Sequence, residues 1–148
     1  MYKRQEINYL DNNNSFGFSR VHNKNELLKE IIRNVPENSV WSIEGIQSKE
    51  IFEIIEPFVI DDEVYIKRAT IFPKQDFFKV HLTQESKKII TSKMDSWNLD
   101  WEIIHQHIYK EKETYLNSYD NLHEACTWIS NELRNKIKNI EELIEIKK

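Results

Sequence analysis

Trp101-Glu102-Ile103-Ile104-His105-Gln106-His107-Ile108-Tyr109 is the stretch whose conformation decides the fold. In an extended chain successive side chains point to opposite faces. Trp101, Ile103, His105, His107 and Tyr109 then share one face, and Glu102, Ile104, Gln106 and Ile108 share the other. At helical spacing Ile104, Ile108 and Lys112 would instead form a stripe. A charged tetrapeptide, Lys110-Glu111-Lys112-Glu113, followed by a second β-forming run over residues 114–119, favours two strands joined as a hairpin.

Outward from that hairpin, residues 77–83 alternate, with Phe78, Val80 and Leu82 on one side and Phe77, Lys79, His81 and Thr83 on the other. Residues 63–72 read as a strand joined to it by the turn-like Pro73-Lys74-Gln75-Asp76. Residues 40–46 form a half-buried strand with Trp41 and Ile43 inward and Ser42 and Glu44 outward. Near the N-terminus, residues 6–10 and 16–21 suit a hairpin around an Asn-rich turn.

Helices fill the gaps. Asn23 followed by Glu26 opens one, with Leu27, Leu28, Ile31 and Ile32 on its inner face. Ser48 caps a short one carrying Ile51, Phe52 and Ile55, and Pro57 ends it. Residues 84–94 form a third, presenting Ile89 and Ile90. Leu122, Cys126, Ile129, Leu133, Ile137, Ile140 and Ile144 step by three or four residues, which predicts one long C-terminal helix. The expectation is a single α+β domain over residues 1–148. Its sheet is mostly antiparallel, of about five or six strands, with helices on one face and that long helix at the end.

Composition narrows function mainly by exclusion. The chain has 148 residues, enough for a core without metals or disulfides, and one cysteine, Cys126, so no internal disulfide. Only Gly17 and Gly45 are glycines, too few and too far apart for a phosphate-wrapping loop. No apolar run reaches membrane-spanning length, and no apolar segment follows the opening Met1-Tyr2-Lys3-Arg4, so a cytoplasmic protein of bacterial type is expected. The common hydrolase, metalloprotease and redox motifs are missing from the sequence, and no catalytic residue or cofactor is assigned.

Charge is sorted along the chain. Glu44, Glu50, Glu53, Glu56, Asp61, Asp62 and Glu63 face the single base Lys49, whereas the next thirty residues hold seven bases and two acids. A formal net charge of −4 therefore hides two opposed segments, and such fields steer charged partners. Asp61-Asp62-Glu63 followed by Lys67 is more simply a polar turn than a nuclease strand, because Tyr65 stands where the acidic residue two before the lysine would be.

Three readings follow. In the first, Glu44, Glu50, Glu53, Asp61, Asp62 and Glu63, with Tyr65 and Trp128 as aromatic contacts, bind a protein partner with a basic surface. An immunity or antitoxin protein masking a toxin is the most concrete form. In the second, the basic hairpin and a sheet face carrying Tyr65, Lys67, Phe77, Lys79, His81, His105, His107 and Tyr109 bind nucleic acid; the acidic balance of the chain counts against it. In the third, His81, His105 and His107 serve a small enzyme. His105-x-His107 supplies two imidazoles on one side of a strand, short of a full metal ligand set unless His81, His123 or Asp120 joins them, so no metal is assigned. Cys126 reads as a small buried hydrophobe, one turn after His123. The first reading is the one carried forward.

Overall fold

The computed structural model describes residues 5–6, 10, 15–60, 64–65 and 77–146. Its elements in chain order are β1 (Gln5–Glu6), β2 (Ser15–Val21), α1 (Lys24–Asn34), β3 (Ser39–Ile46), α2 (Lys49–Ile55), β4 (Val59–Ile60), β5 (Val64–Tyr65) and β6 (Phe77–Leu82). Then come α3 (Gln84–Lys93), β7 (Ile103–Lys110), β8 (Glu113–Ser118), β9 (Thr127–Ser130), α4 (Asn131–Lys136), α5 (Ile140–Leu143) and β10 (Ile144–Ile146). The fold is α+β. Among the described residues eight strands form an antiparallel sheet in the order β10-β2-β9-β8-β7-β3-β6-β4, and β1 pairs with β5 in parallel.

The caps read from sequence are present. The Asn23 side chain accepts from the Glu26 amide at 3.1 Å, and Ser48 accepts from the Ile51 amide at 3.3 Å. Each satisfies one of the amides that a helix start leaves without a partner. Thr83 and Ser86 cap α3 reciprocally, and Ile90 is buried beneath it while Ile89 is 38% exposed.

The central hairpin also forms, as β7 and β8, but Trp101 lies before β7 and is 53% exposed. Glu111 turns the chain with φ 55°, a left-handed backbone that glycine would usually supply. β3 lies between β7 and β6, so its backbone is paired on both sides. Register aligns Trp41 with Val80 and Ile108, Leu116 with Ile108, and Ile129 with Leu116. That face joins Leu27, Leu28, Ile31 and Ile32 of α1 and Ile90 of α3 in one core.

Several expectations are corrected. The sheet has eight strands rather than five or six, and the long C-terminal helix is replaced by β9, α4, α5 and β10. The stripe was right about burial: Leu122, Ile129, Leu133, Ile137, Ile140 and Ile144 are all in the core. It was wrong about conformation. Asp120, Asn121 and Leu122 take φ of 59°, 58° and 58°, which no right-handed helix can include. After them Thr127-Trp128-Ile129, β-branched and aromatic, fills the slot between β8 and β2. Ser130 then caps the short α4. Cys126 sits half-buried in a 3₁₀ turn (Glu124–Cys126), not within a helix.

Of the expected N-terminal hairpin, Glu6 pairs with Tyr65 of β5 and β2 pairs with β9 and β10, while residues 7–9 and the turn 11–14 lie outside the described residues. Most of the expected strand 63–72 and its turn to β6 lies outside the described residues. Among the described residues no helix is long and apolar enough to cross a membrane.

Candidate functional site

Alternation in β7 places His105, His107 and Tyr109 together, and pairing extends that face across its neighbours. His105 aligns with Glu44, His107 with Ser42, and Tyr109 with Val40. On β6, Lys79 aligns with Ser42 and His81 with Val40. On the other side, His107 aligns with Asn117, and Asn117 with Trp128. One row of side chains thus runs Lys79, Ser42, His107, Asn117, Trp128 over five strands.

Grouping these residues on one face follows from the alternation; an open face does not. Ser42 is 0%, Tyr109 1%, His107 3% and Glu44 4% exposed. Rings closed off to this degree cannot stack on nucleobases. β3 was expected to show one side to water, but Ser39 through Gly45 are buried throughout.

His107 has the most altered chemistry in this row. A hydrogen bond of 2.8 Å joins its Nδ1 to the Asn117 Oδ1, so the ring donates there and keeps Nε2 as an acceptor. Tyr119 meets the His105 and His107 rings edge-on, with centroids at 5.3 and 5.1 Å. Burial pushes the His107 imidazole down to about 4; the Asn117 bond works in the opposite direction and His105 adds a small further lowering. His107 is therefore neutral at pH 7.

Ser42, His107 and Asn117 stand in the order of nucleophile, base and orienting group. Among the described residues, however, the fully buried Ser42 hydroxyl has no hydrogen-bond partner, so His107 does not engage it as a base. An unpartnered buried hydroxyl costs stability. Ser42→Ala should therefore raise the unfolding free energy by about 0.5–1 kcal/mol, read as a Tm increase of about 1–4 °C. A clear fall in Tm would mean that the hydroxyl has a partner after all.

The other histidines weighed as ligands, His81, His105 and His123, each have a hydrogen-bond partner elsewhere. His81 Nε2 lies 3.0 Å from Asn38 Oδ1, His105 Nδ1 accepts from the Asp120 amide at 3.2 Å, and His123 Nδ1 accepts from the Ala125 amide at 3.0 Å. Among the described residues no three His, Cys, Asp or Glu side chains converge as metal ligands. The His123–Cys126 helical spacing does not exist, because the 3₁₀ turn replaces the helix there.

The residues read as a partner surface divide. Glu44 is buried in β3 and cannot meet a partner. Glu50 and Glu53 are exposed on α2, and Glu56 is exposed in the following 3₁₀ turn (Glu56–Phe58). Lys49 approaches Glu53 at 3.8 Å, with both side chains mostly in water, a contact worth little. Beside these acids, Phe52 is half-buried with its ring 5.1 Å from that of Phe78, Phe58 is half-buried, and Val59 on edge strand β4 is 38% exposed.

Asp61, Asp62 and Glu63 lie outside the described residues, as does the Tyr65 side chain. Trp128, half-buried in β9, is five strand spacings from β4, about 24 Å, so it belongs to a different part of the surface. Ser42, Asn117, Phe58 and Val59 were not singled out from sequence. In comparison with known protein families, curated proteins and solved structures, the chain matches none.

Proposed function

We propose that this chain is a protein-binding module that docks its α2–β4 edge onto a basic surface of a partner protein, in the manner of an immunity or antitoxin protein masking a toxin. One observation carries the reading: Glu50, Glu53 and Glu56 are all exposed within seven residues that hold no base, Lys49 standing just before them, beside the partly accessible apolar groups of Phe52, Phe58 and Val59. Acidic groups at a rim accelerate encounter with a cationic patch, and apolar anchors at the centre slow dissociation. No bond-making chemistry is needed for such a role.

Charge reversal tests it. With the chain immobilised, wild type should retain a basic protein from lysate of the source cells, and Glu50→Lys with Glu53→Lys should slow association with that protein about tenfold at low salt. The difference should shrink as salt rises toward 0.5 M, where screening acts within about 4–5 Å. Equal association rates for wild type and the double variant, or retention of no basic protein, would sink the reading.

A further inference from the structure

A cleft of about 660 Å³ lies between the end of α1 and the outer side of α3, within the size range of small-molecule sites. Arg33, Lys87 and Lys88 bring three cations to its lining, and Glu37, Thr91 and Ser92 bring acceptors.

Lys87 is the unusual member. Its ammonium is held by a carbonyl, that of Val35 just past α1, rather than by a carboxylate. That contact uses one of its three donors and leaves the others free for the cleft. Burial lowers the Lys87 ammonium from its ordinary range; Glu37 opposes this and Lys136 adds to it. A partly desolvated cation near another of like sign is an electrostatic deficit that a bound anion would relieve.

Arg33 spends Nη1 on Glu30 at 2.8 Å and stays 48% exposed, so the rest of its planar fork is available. The hydroxyls carry different information. Thr91 Oγ1 donates to the Lys87 carbonyl at 2.7 Å, and Ser92 Oγ donates to the Ile89 carbonyl at 2.6 Å. With its proton turned back into the helix, the exposed Ser92 hydroxyl keeps its lone pairs for the cleft, as does the exposed Glu37 carboxylate, whereas Thr91 is 6% exposed. The lining therefore offers donors to an anion and acceptors to hydroxyl or amine groups.

We infer that this cleft binds a small phosphomonoester of a polyhydroxyl compound, with the phosphate on Arg33, Lys87 and Lys88 and the ligand hydroxyls on Ser92 and Glu37. Multiple anionic oxygens suit three cations lining one cleft better than one carboxylate does, and the acceptors call for a ligand that also carries donors. The site is separate from the acidic edge and does not depend on the docking reading.

Calorimetric titration at 150 mM salt with ribose 5-phosphate, AMP, inorganic phosphate and ribose tests the assignment. At least one ester should bind about tenfold more tightly than inorganic phosphate, and ribose alone should not bind. The ratio of the two esters tells whether a sugar phosphate or a nucleotide is the better occupant. Lys87→Met should weaken the ester at least about tenfold, the scale of a charge-assisted hydrogen bond.

Because Lys87 also ties α3 to the end of α1, the exposed Lys88→Ala serves as a second variant and should weaken binding several-fold without changing Tm. Ser92→Ala should reduce the preference for the ester over inorganic phosphate while leaving phosphate itself unaffected. No binding by either ester, equal binding of ester and inorganic phosphate, or ester binding indifferent to both lysine variants would each overturn the proposal.

Discussion

Trp41→Ala should cost about 3–5 kcal/mol of unfolding free energy, the range for removing a large aromatic side chain from a packed core. Trp41 is fully buried on β3, which is paired with β6 and β7, so its backbone has little room to relax into the cavity. Its ring stacks on Trp97 with centroids 6.4 Å apart and planes 14° from parallel. Its Nε1 donates to the Gln106 Oε1 at 3.0 Å, a bond inside the core between neighbouring strands. Truncation loses apolar burial and the stack, and also leaves the Gln106 amide, 1% exposed, without that donor.

Trp41→Phe separates these terms. It keeps most of the ring volume but not the donor, and should cost about 1–3 kcal/mol, the penalty for an orphaned buried polar group. Adding Gln106→Leu to Trp41→Phe should recover part of that loss, since replacing both partners of a buried hydrogen bond by apolar groups is close to neutral. Urea unfolding with a common slope supplies all three values. A loss below about 1 kcal/mol for Trp41→Ala would remove Trp41 from the centre of the core. Because typical domains hold only 5–15 kcal/mol in total, a largely unfolded alanine variant agrees with the expectation.

Which parts of this arrangement were legible follows from the range of each interaction. Caps depend on three or four neighbouring residues, so Asn23 and Ser48 could be read directly. Alternation is equally local, and it correctly sorted Lys79, His81, His105, His107 and Tyr109 to one side of the sheet. Register is not local. Counted back from the Lys110–Glu113 turn, His107 would face Leu116. An extra residue at Tyr115 shifts the pairing so that Asn117 meets it instead. A bulge of this kind inserts one unpaired residue and has no sharp sequence signature.

The C-terminal stripe failed for another reason. Spacings of three and four residues mark which side chains seek the core, but they do not choose between one helix and short pieces folded back upon the sheet. The open slot between β8 and β2 made that choice, and only tertiary pairing reveals it. Burial of Glu44 and Ser42 was hidden for the same reason: polar residues on alternate positions signal water on that side, yet β3 lies inside the sheet with both of its faces covered. The acidic segment was therefore legible as charge but not as surface, and it separates into buried Glu44 and exposed Glu50, Glu53 and Glu56.

His107 should make the fold acid-sensitive in a defined window. Its ordinary value of 6.5 describes the unfolded chain, and burial brings the folded value to about 4. Between these values the unfolded state takes up a proton that the folded state refuses, so stability falls as pH falls. At pH 7 the contribution is almost fully present. About 2 kcal/mol is lost by pH 5 and about 3 kcal/mol by pH 4, from 1.36 kcal/mol per pKa unit.

Carboxylates add their own losses below pH 5, so the decisive quantity is a difference between proteins. Wild type and His107→Gln, which has no proton to gain, should converge or cross as pH drops from 7 to 4.5, with wild type losing about 2 kcal/mol more than the variant over that interval. Any packing cost of the substitution is common to every pH and cancels from the slope. Carbon-detected NMR of the imidazole supplies an independent reading: the His107 resonance should hold its neutral shift down to pH 5. Titration of that ring near 6.5, or parallel pH profiles for the two proteins, would mean that water reaches the row of Ser42, His107 and Asn117. That side of the sheet would then be an accessible cleft rather than a second core.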